Sequence, residues 1–194
     1  MLVKVYKILK ENFSGVVIHA STQMGIHNLA GALFLENLGF SRVVLSRETT
    51  LADIKEIHDN TNLEIEYFVQ GALCVAFSGN CYFSSLEKNA SGNRGECLQL
   101  CRLPYTALSN NKPVKDGYLL SPRDLCLIKN LKELENAGVC SLKIEGRLRR
   151  AGYVAQTIDT YKKALTSSVN IEKECENLKK VFSRGDFNYG AYLN

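Results

Sequence analysis

The sequence predicts an α/β fold, built of parallel β/α units too few to close an eight-stranded barrel and interrupted by a long cysteine-rich loop. Three observations predict it. Short β-branched runs alternate with stretches whose apolar residues recur at helical spacing, the pattern of βαβ units feeding a parallel sheet. Five such strands are counted along the chain, where a closed (β/α)8 barrel needs eight. From Gly71 to Gly117 the periodicity is lost and Gly, Ser, Asn and most of the cysteines take over; a loop of that length inside a compact domain is usually functional or disordered.

The elements follow in order. Val16 to Ala20 (VVIHA) reads as a buried strand, and from Gly25 to Leu38 the residues Ile26, Leu29, Ala30, Leu33, Phe34 and Leu38 fall on one helical face, ended by Gly39. Arg42 to Ser46 (RVVLS) is the second strand. Thr50 caps a helix that runs through Leu51, Ile54 and Ile57 to His58. Leu63 to Val69 is the third strand. Past the long loop, Tyr118 to Ser121 (YLLS) reads as the fourth strand, and Pro122 sits at a favourable first-turn position of a helix through Leu125, Ile128, Leu131 and Leu134 to Ala137. Gly138 closes that helix and Ser141 to Glu145 makes the fifth strand. Helices over about 150–165 and from Ile171 to Phe182 complete the chain, with a polar break at 166–170 between them.

At 194 residues the chain has the size of one domain. It shows no repeat of fixed period, no low-complexity tract and no interdomain linker. Charges interrupt the first fifteen residues, where a signal peptide needs an unbroken apolar stretch, and no run approaches the length of a membrane span. A cytoplasmic protein without membrane contact is therefore expected. The net charge of +4 tolerates nucleic acid without requiring it. Seven cysteines, at 74, 81, 97, 101, 126, 140 and 175, say more. An odd count without an export signal argues against a disulfide framework and for thiols used as ligands or nucleophiles. Thiolates suit iron-sulfur clusters or zinc, and the spacings here match neither a zinc ribbon nor a ferredoxin run.

In parallel α/β folds chemistry gathers at the C-terminal ends of the strands. Gln23, His27, Asn28, Arg47, Glu48, Gln70, Arg123, Asp124 and Arg147 occupy those positions and are expected to converge on one site. In KIEGR, alternation puts Lys143, Glu145 and Arg147 on one strand face, where three charges imply a functional site or an internal ion pair. The candidate catalytic residues are Glu48, Glu66, Lys143 and Glu145. Arg94, Arg102, Arg123, Arg147, Arg149 and Arg150 lie in or beside the long loop and the strand ends, and their forks suit phosphate or carboxylate. His27, Asn28, Arg47, Arg94, Arg102 and Arg147 are the candidate substrate-binding set. No recognised RNA-binding motif or aromatic stacking signature accompanies the arginines.

The stretch from Glu66 to Ser84 (EYFVQGALCVAFSGNCYFS) closely resembles the signature of the peptidase U32 family of collagenase-like proteins. NRGECLQLCR from Asn93, SPRDLC from Ser121, SLKIEGR from Ser141 and FSRGDFNYGAYL from Phe182 resemble its later landmarks in the same order, and Ile26 to Glu48 resembles its earlier part. The resemblance covers nearly the whole chain and implies a TIM-like barrel domain, here incomplete. On that basis residues 1–194 form one domain, with 16–150 as the C-terminal part of the barrel and 150–183 as C-terminal helices.

The better understood members of the family hold a four-iron iron-sulfur cluster on four cysteines. They act in oxygen-independent hydroxylation of RNA bases or of a quinone precursor, with prephenate implicated in the RNA reaction. Carried over by position, the resemblance implies a 4Fe-4S cluster on Cys74, Cys81, Cys97 and Cys126, with Cys101 the rival of Cys97; zinc, or no metal at all, stays open. It implies a component of tRNA uridine or rRNA cytidine hydroxylation, with RNA and prephenate as partners. A collagenase-like peptidase is the alternative, although no Ser-His-Asp set, HExxH helix or GxSxG elbow supports proteolysis. Two departures stand out. Gln70 replaces a histidine usual in the family, and the β/α units that normally precede the segment at Val16 are not seen. The expectation is a fragment, an inactive paralogue or a subunit completed by a complementary protein half.

Overall fold

The computed structural model describes residues 2–78, 80–166, 169–190 and 193. Its first element was not expected. Helix α1 (Leu2–Asn12) turns Tyr6 inward, where its ring stacks on Phe40 at 4.4 Å between centroids and its hydroxyl donates to the Leu38 carbonyl. The VKVY alternation reads locally as strand, and packing against the next unit overrides it. Strand β1 (His19–Ala20) is shorter than expected, leaving Val16 and Val17 exposed. Among the described residues it pairs only with the strand that follows it and so lies at an edge of the sheet.

Helix α2 (Leu29–Leu38) starts later than the apolar spacing suggests, because Asn28 caps it, accepting from the Gly31 amide at 3.0 Å. Strand β2 (Arg42–Val44) follows, then helix α3 (Leu51–Asn60), where Thr50 and Asp53 form a reciprocal capping box. Strand β3 (Glu64–Gly71) is the centre of the sheet. It sends Ile65, Tyr67 and Val69 into the core with Val43, Leu45, Ile54 and Ile57. The other face carries Glu66, Phe68 and Gln70.

The long loop contains structure the periodicity did not reveal. Helix α4 (Phe83–Lys88) is followed by a hairpin of β4 (Tyr105–Ser109) and β5 (Lys112–Gly117). Asn110 and Asn111 make its two-residue turn with φ of 49° and 61°, the geometry that matches strand twist and that asparagine tolerates. Phe83 stacks on Tyr105, tying helix to hairpin.

The fourth strand and its helix are corrected. Tyr118 to Ser121 is a turn, and the strand is β6 (Asp124–Cys126), inside the segment read as helix; helix α5 is confined to Leu131–Asn136. Asp124, Leu125, Cys126, Leu127 and Ile128 are all buried, and a run buried on every side suits a core strand where a helix would show one face to water. Strand β7 (Val139–Ile144) pairs with β3 in parallel, and helices α6 (Ala151–Thr166) and α7 (Ile171–Val181) fall where expected. Strand β8 (Phe187–Asn188) pairs with β6.

The α/β expectation holds: β1, β2, β3 and β7 run parallel. The exceptions in this sheet are β6, antiparallel to β3 at Gln70 and Gly71, and β8, which runs parallel to β6. Among the described residues the sheet, ordered β1-β2-β3-β6-β8 with β7 also paired to β3, does not close into a barrel. No described helix is long and apolar enough to cross a membrane.

Candidate functional site

The C-terminal end of β3 delivers the cysteine loop to one mouth of the sheet. Gly71 ends the strand at φ +114°, and a Cβ there would stand 2.8 Å from both the Cβ and the carbonyl oxygen of Glu145. Glycine alone permits that approach without displacement. The segment beyond Cys74 is anchored by Glu48, whose Oε1 accepts from the Ser78 amide at 2.8 Å and from its hydroxyl at 3.3 Å. The other Glu48 oxygen is buried without a partner among the described residues. The Ala191 and Tyr192 of the C-terminal motif lie outside the described residues, as does Gly79.

A cleft of about 180 Å³ opens at this mouth. Cys74, Cys97 and Cys101 line it together with Arg47, Arg102, Arg147, Arg149 and Arg184. The Cys74 thiol feels the field of Cys81, and Cys101 feels the fields of both Cys81 and Cys97. Burial pushes the Cys74 and Cys101 thiols up, and the neighbouring thiols add to the shift; the Arg102 guanidinium opposes it at Cys101. A metal would reverse that balance, since coordination takes the thiolate.

The arginines are held individually. Arg47 lies over the Phe68 ring at 3.7 Å and faces Glu145 at 3.5 Å. Arg102 donates to three neutral oxygens: the Ser121 hydroxyl at 2.8 Å and the Pro122 and Leu73 carbonyls, each at 2.5 Å. Arg149 and Arg184 share Asp124 Oδ1 at 3.4 and 2.5 Å, and Arg149 also stacks on Phe182 at 3.7 Å. Arg147 donates to the Gly95 carbonyl. Burial lowers the pKa of Arg47, Arg102 and Arg149, with repulsion from Arg184 adding to it at the latter two; guanidinium stays protonated regardless. The acids in contact with the five are Glu145 and Asp124, so the cleft is strongly positive and suited to anions.

The predicted residues divide. Arg47, Arg102, Arg147, Glu145, Cys74 and Cys97 line the cleft, and Glu48 flanks it. Glu66 and Lys143 are engaged with each other at 2.6 Å on the open face of the sheet, with Ser141 and Arg42 on the same carboxylate. Burial would raise the Glu66 pKa, but the bonds from Lys143, Ser141 and Arg42 outweigh it and hold it below the usual range. Asn28 is used as a helix cap, His27 Nδ1 donates to the nearby Gly25 carbonyl at 2.9 Å, and Arg94 is exposed on a short turn away from the lining. Of the KIEGR row, Arg147 lies in a turn beyond the end of β7.

Cys126, carried over as the fourth ligand, does not line the cleft. It is fully buried in β6, where the hydrogen bond with Cys175 and then burial push its thiol up, and Tyr161 is also in contact. Cys101 lines the cleft together with Cys74 and Cys97. Gln70 is buried and bridges two rings: it accepts from the Tyr161 hydroxyl at 3.1 Å and bonds Tyr153. Arg184 was missed; its signal lay in the SRGD run of the C-terminal motif.

Among the described residues no group of three or more His, Cys, Asp or Glu side chains is gathered closely enough to hold a single metal ion. A four-iron cluster spreads its thiolates around a larger body; Cys74, Cys97 and Cys101 line the cleft and Cys81 acts on Cys74 from beside it, a soft donor set of the kind such a cluster takes.

The family model described as Peptidase family U32 matches residues 3–194. The 23S rRNA 5-hydroxycytidine C2501 synthase of Escherichia coli (strain K12) is 41% identical over 171 residues, covering 87% of this chain and 26% of its own length. The tRNA hydroxylation protein P1 of Bacillus subtilis (strain 168) is 36% identical, over 77% of this chain and 37% of its own. A protein named collagenase from Porphyromonas gingivalis (strain ATCC BAA-308 / W83) is 36% identical, over 94% and 49%. The chain therefore spans about half or less of the length of these relatives. No solved structure matches it.

Proposed function

Because the chain belongs to peptidase family U32, we propose that it is an iron-sulfur component of oxygen-independent RNA base hydroxylation, acting on a tRNA uridine or an rRNA cytidine. The observation that carries the reading is the meeting of Cys74, Cys97 and Cys101, with Cys81 acting on two of them, and a surplus of guanidinium charge at one mouth of the sheet. Cys74, Cys81, Cys97 and Cys101 would hold a 4Fe-4S cluster, which supplies one-electron chemistry when bound. Arg47 and Arg102 lower the cost of placing thiolate charge there. Arg149 and Arg184, fixed by Asp124, present forks to a carboxylate or phosphate, which suits both an RNA backbone and a hydroxyl donor such as prephenate. Glu145, bonded by the Arg147 amide at 2.9 Å, is the carboxylate at the cleft best placed to move a proton.

The relatives named collagenase keep a peptidase reading in view, but among the described residues no histidine is hydrogen-bonded to a serine or cysteine side chain, so nothing in the site favours it. The test is anaerobic purification with iron and sulfide analysis. About four irons and four sulfides per chain are expected, lost in Cys74→Ser and Cys101→Ser and kept in Cys126→Ser. Iron retained in Cys101→Ser and lost in Cys126→Ser would return the fourth ligand to Cys126. Iron-free protein that resists reconstitution while digesting gelatin would overturn the reading.

A further inference from the structure

Beside the cleft, and sharing Arg102 and Arg184 with it, lies a second groove that the cysteines do not reach. Its other lining residues are Tyr118, Ser121, Arg123 and Gly185. Tyr118 opens the turn at 118–121, closed by the Ser121 amide on its carbonyl at 3.1 Å, and its side chain is 66% exposed. An aromatic ring left to water at that level, held on a tight turn beside cations, is a poor use of apolar area unless something stacks on it. The cations are not cancelled locally. Arg102 spends its donors on neutral oxygens, so its charge is fixed in place without being neutralised. Arg123 is exposed, and Asp186, a carboxylate that feels its charge, is already paired with Lys179 at 3.0 Å. Arg184 shares one carboxylate, Asp124, with Arg149.

We infer that this groove is a subsite for a single-stranded nucleotide of the RNA, with a base stacked on Tyr118 and its phosphate held by Arg123 and Arg184. The inference rests on the RNA reading above and extends it from the reacting base to a neighbouring one. An exposed ring beside two or three guanidiniums is the combination that tracks single strands, because every base offers a π-face while the phosphates meet the charge. A duplex keeps its bases stacked and has none to offer. An acidic peptide would satisfy the arginines but would leave the ring unused.

The test is fluorescence anisotropy of a labelled single-stranded RNA decamer of mixed sequence with the full chain as purified anaerobically, against the same sequence as a duplex. Tyr118→Ala should weaken the single strand by roughly fivefold or more and leave the duplex unmoved, while Tyr118→Phe binds as the parent does. Arg123→Ala should weaken binding and reduce the slope of log affinity against log salt by about 0.7, one phosphate contact on a single strand. Iron content should be unchanged in all three. Parent-like binding by Tyr118→Ala, an equal loss in Tyr118→Phe, or an acidic peptide that competes as well as RNA would overturn the subsite alone. A parent protein without measurable affinity for the RNA at low salt would overturn the substrate reading and the subsite with it.

Discussion

Replacing Asp124 by asparagine isolates the group that organises the arginine side of the cleft. The Asp124 side chain is 2% exposed, and it serves Arg184 at 2.5 Å and Arg149 at 3.4 Å, whose side chains are 20% and 10% exposed. The substitution keeps volume and leaves Oδ1 able to accept, so packing is preserved and charge is the variable. Removing one partner of a buried pair costs about 3–5 kcal/mol, because the remaining charge loses its compensation without regaining water. Here two cations are stranded, which raises the cost, but partial exposure of Arg184 and the surviving amide acceptor lower it, so about 2–4 kcal/mol is expected. With a urea dependence of about 2 kcal/mol per molar for a chain of this size, the unfolding midpoint should fall by about 1–2 M. The freed guanidiniums should also bind anions more tightly, so inorganic phosphate should protect the variant against urea more than it protects the parent. A midpoint shift below about 0.3 M, or phosphate protection equal in both proteins, would refute the role given to Asp124 as the shared counter-charge.

Three other perturbations test separate parts of the structure. Gly71→Ala combines a positive φ with a Cβ 2.8 Å from Glu145 and should cost about 2–4 kcal/mol in urea unfolding, whereas Gly95→Ala, at φ +86° with open space around it, should cost about 1 kcal/mol; equal costs would show that contact with Glu145 is unimportant. The Glu66 pKa is depressed in the folded state, so its contribution is present above the unfolded value and is lost as pH falls through the folded one; Glu66→Gln should be less stable near neutrality and lose less stability than the parent below pH 4.5, and parallel pH profiles would refute the pairing. Tyr161→Phe deletes a buried hydroxyl bonded to the Val69 carbonyl at 2.8 Å and to Gln70 at 3.1 Å and should cost about 1–3 kcal/mol by thermal or urea unfolding, since Gln70 is left short of a partner; a cost under about 0.5 kcal/mol would point to water replacing the hydroxyl.

What could be read along the chain was what short-range physics writes there. The Thr50–Asp53 capping box, Gly39 at the end of α2, the β-branched run of β3 and the amphipathic α6 and α7 all express themselves within a few residues. The cysteine cluster and the KIEGR charges were visible for the same reason, as residue types too costly to bury without purpose. The Asn110-Asn111 turn was also legible, although the loop around it masked the hairpin. Tertiary structure decided the rest. Whether Asp124 to Cys126 forms a strand or a helix depends on β3 and β8 pairing with it. That Cys101 lines the cleft while Cys126 is buried beside Cys175 depends on how β6 packs against α7. Asp124 meets arginines 25 and 60 residues away, and Glu66 finds Lys143 across 77. No local pattern encodes such meetings, because they arise only when the sheet brings distant strand ends to one mouth, and burial then makes every unpaired charge there expensive.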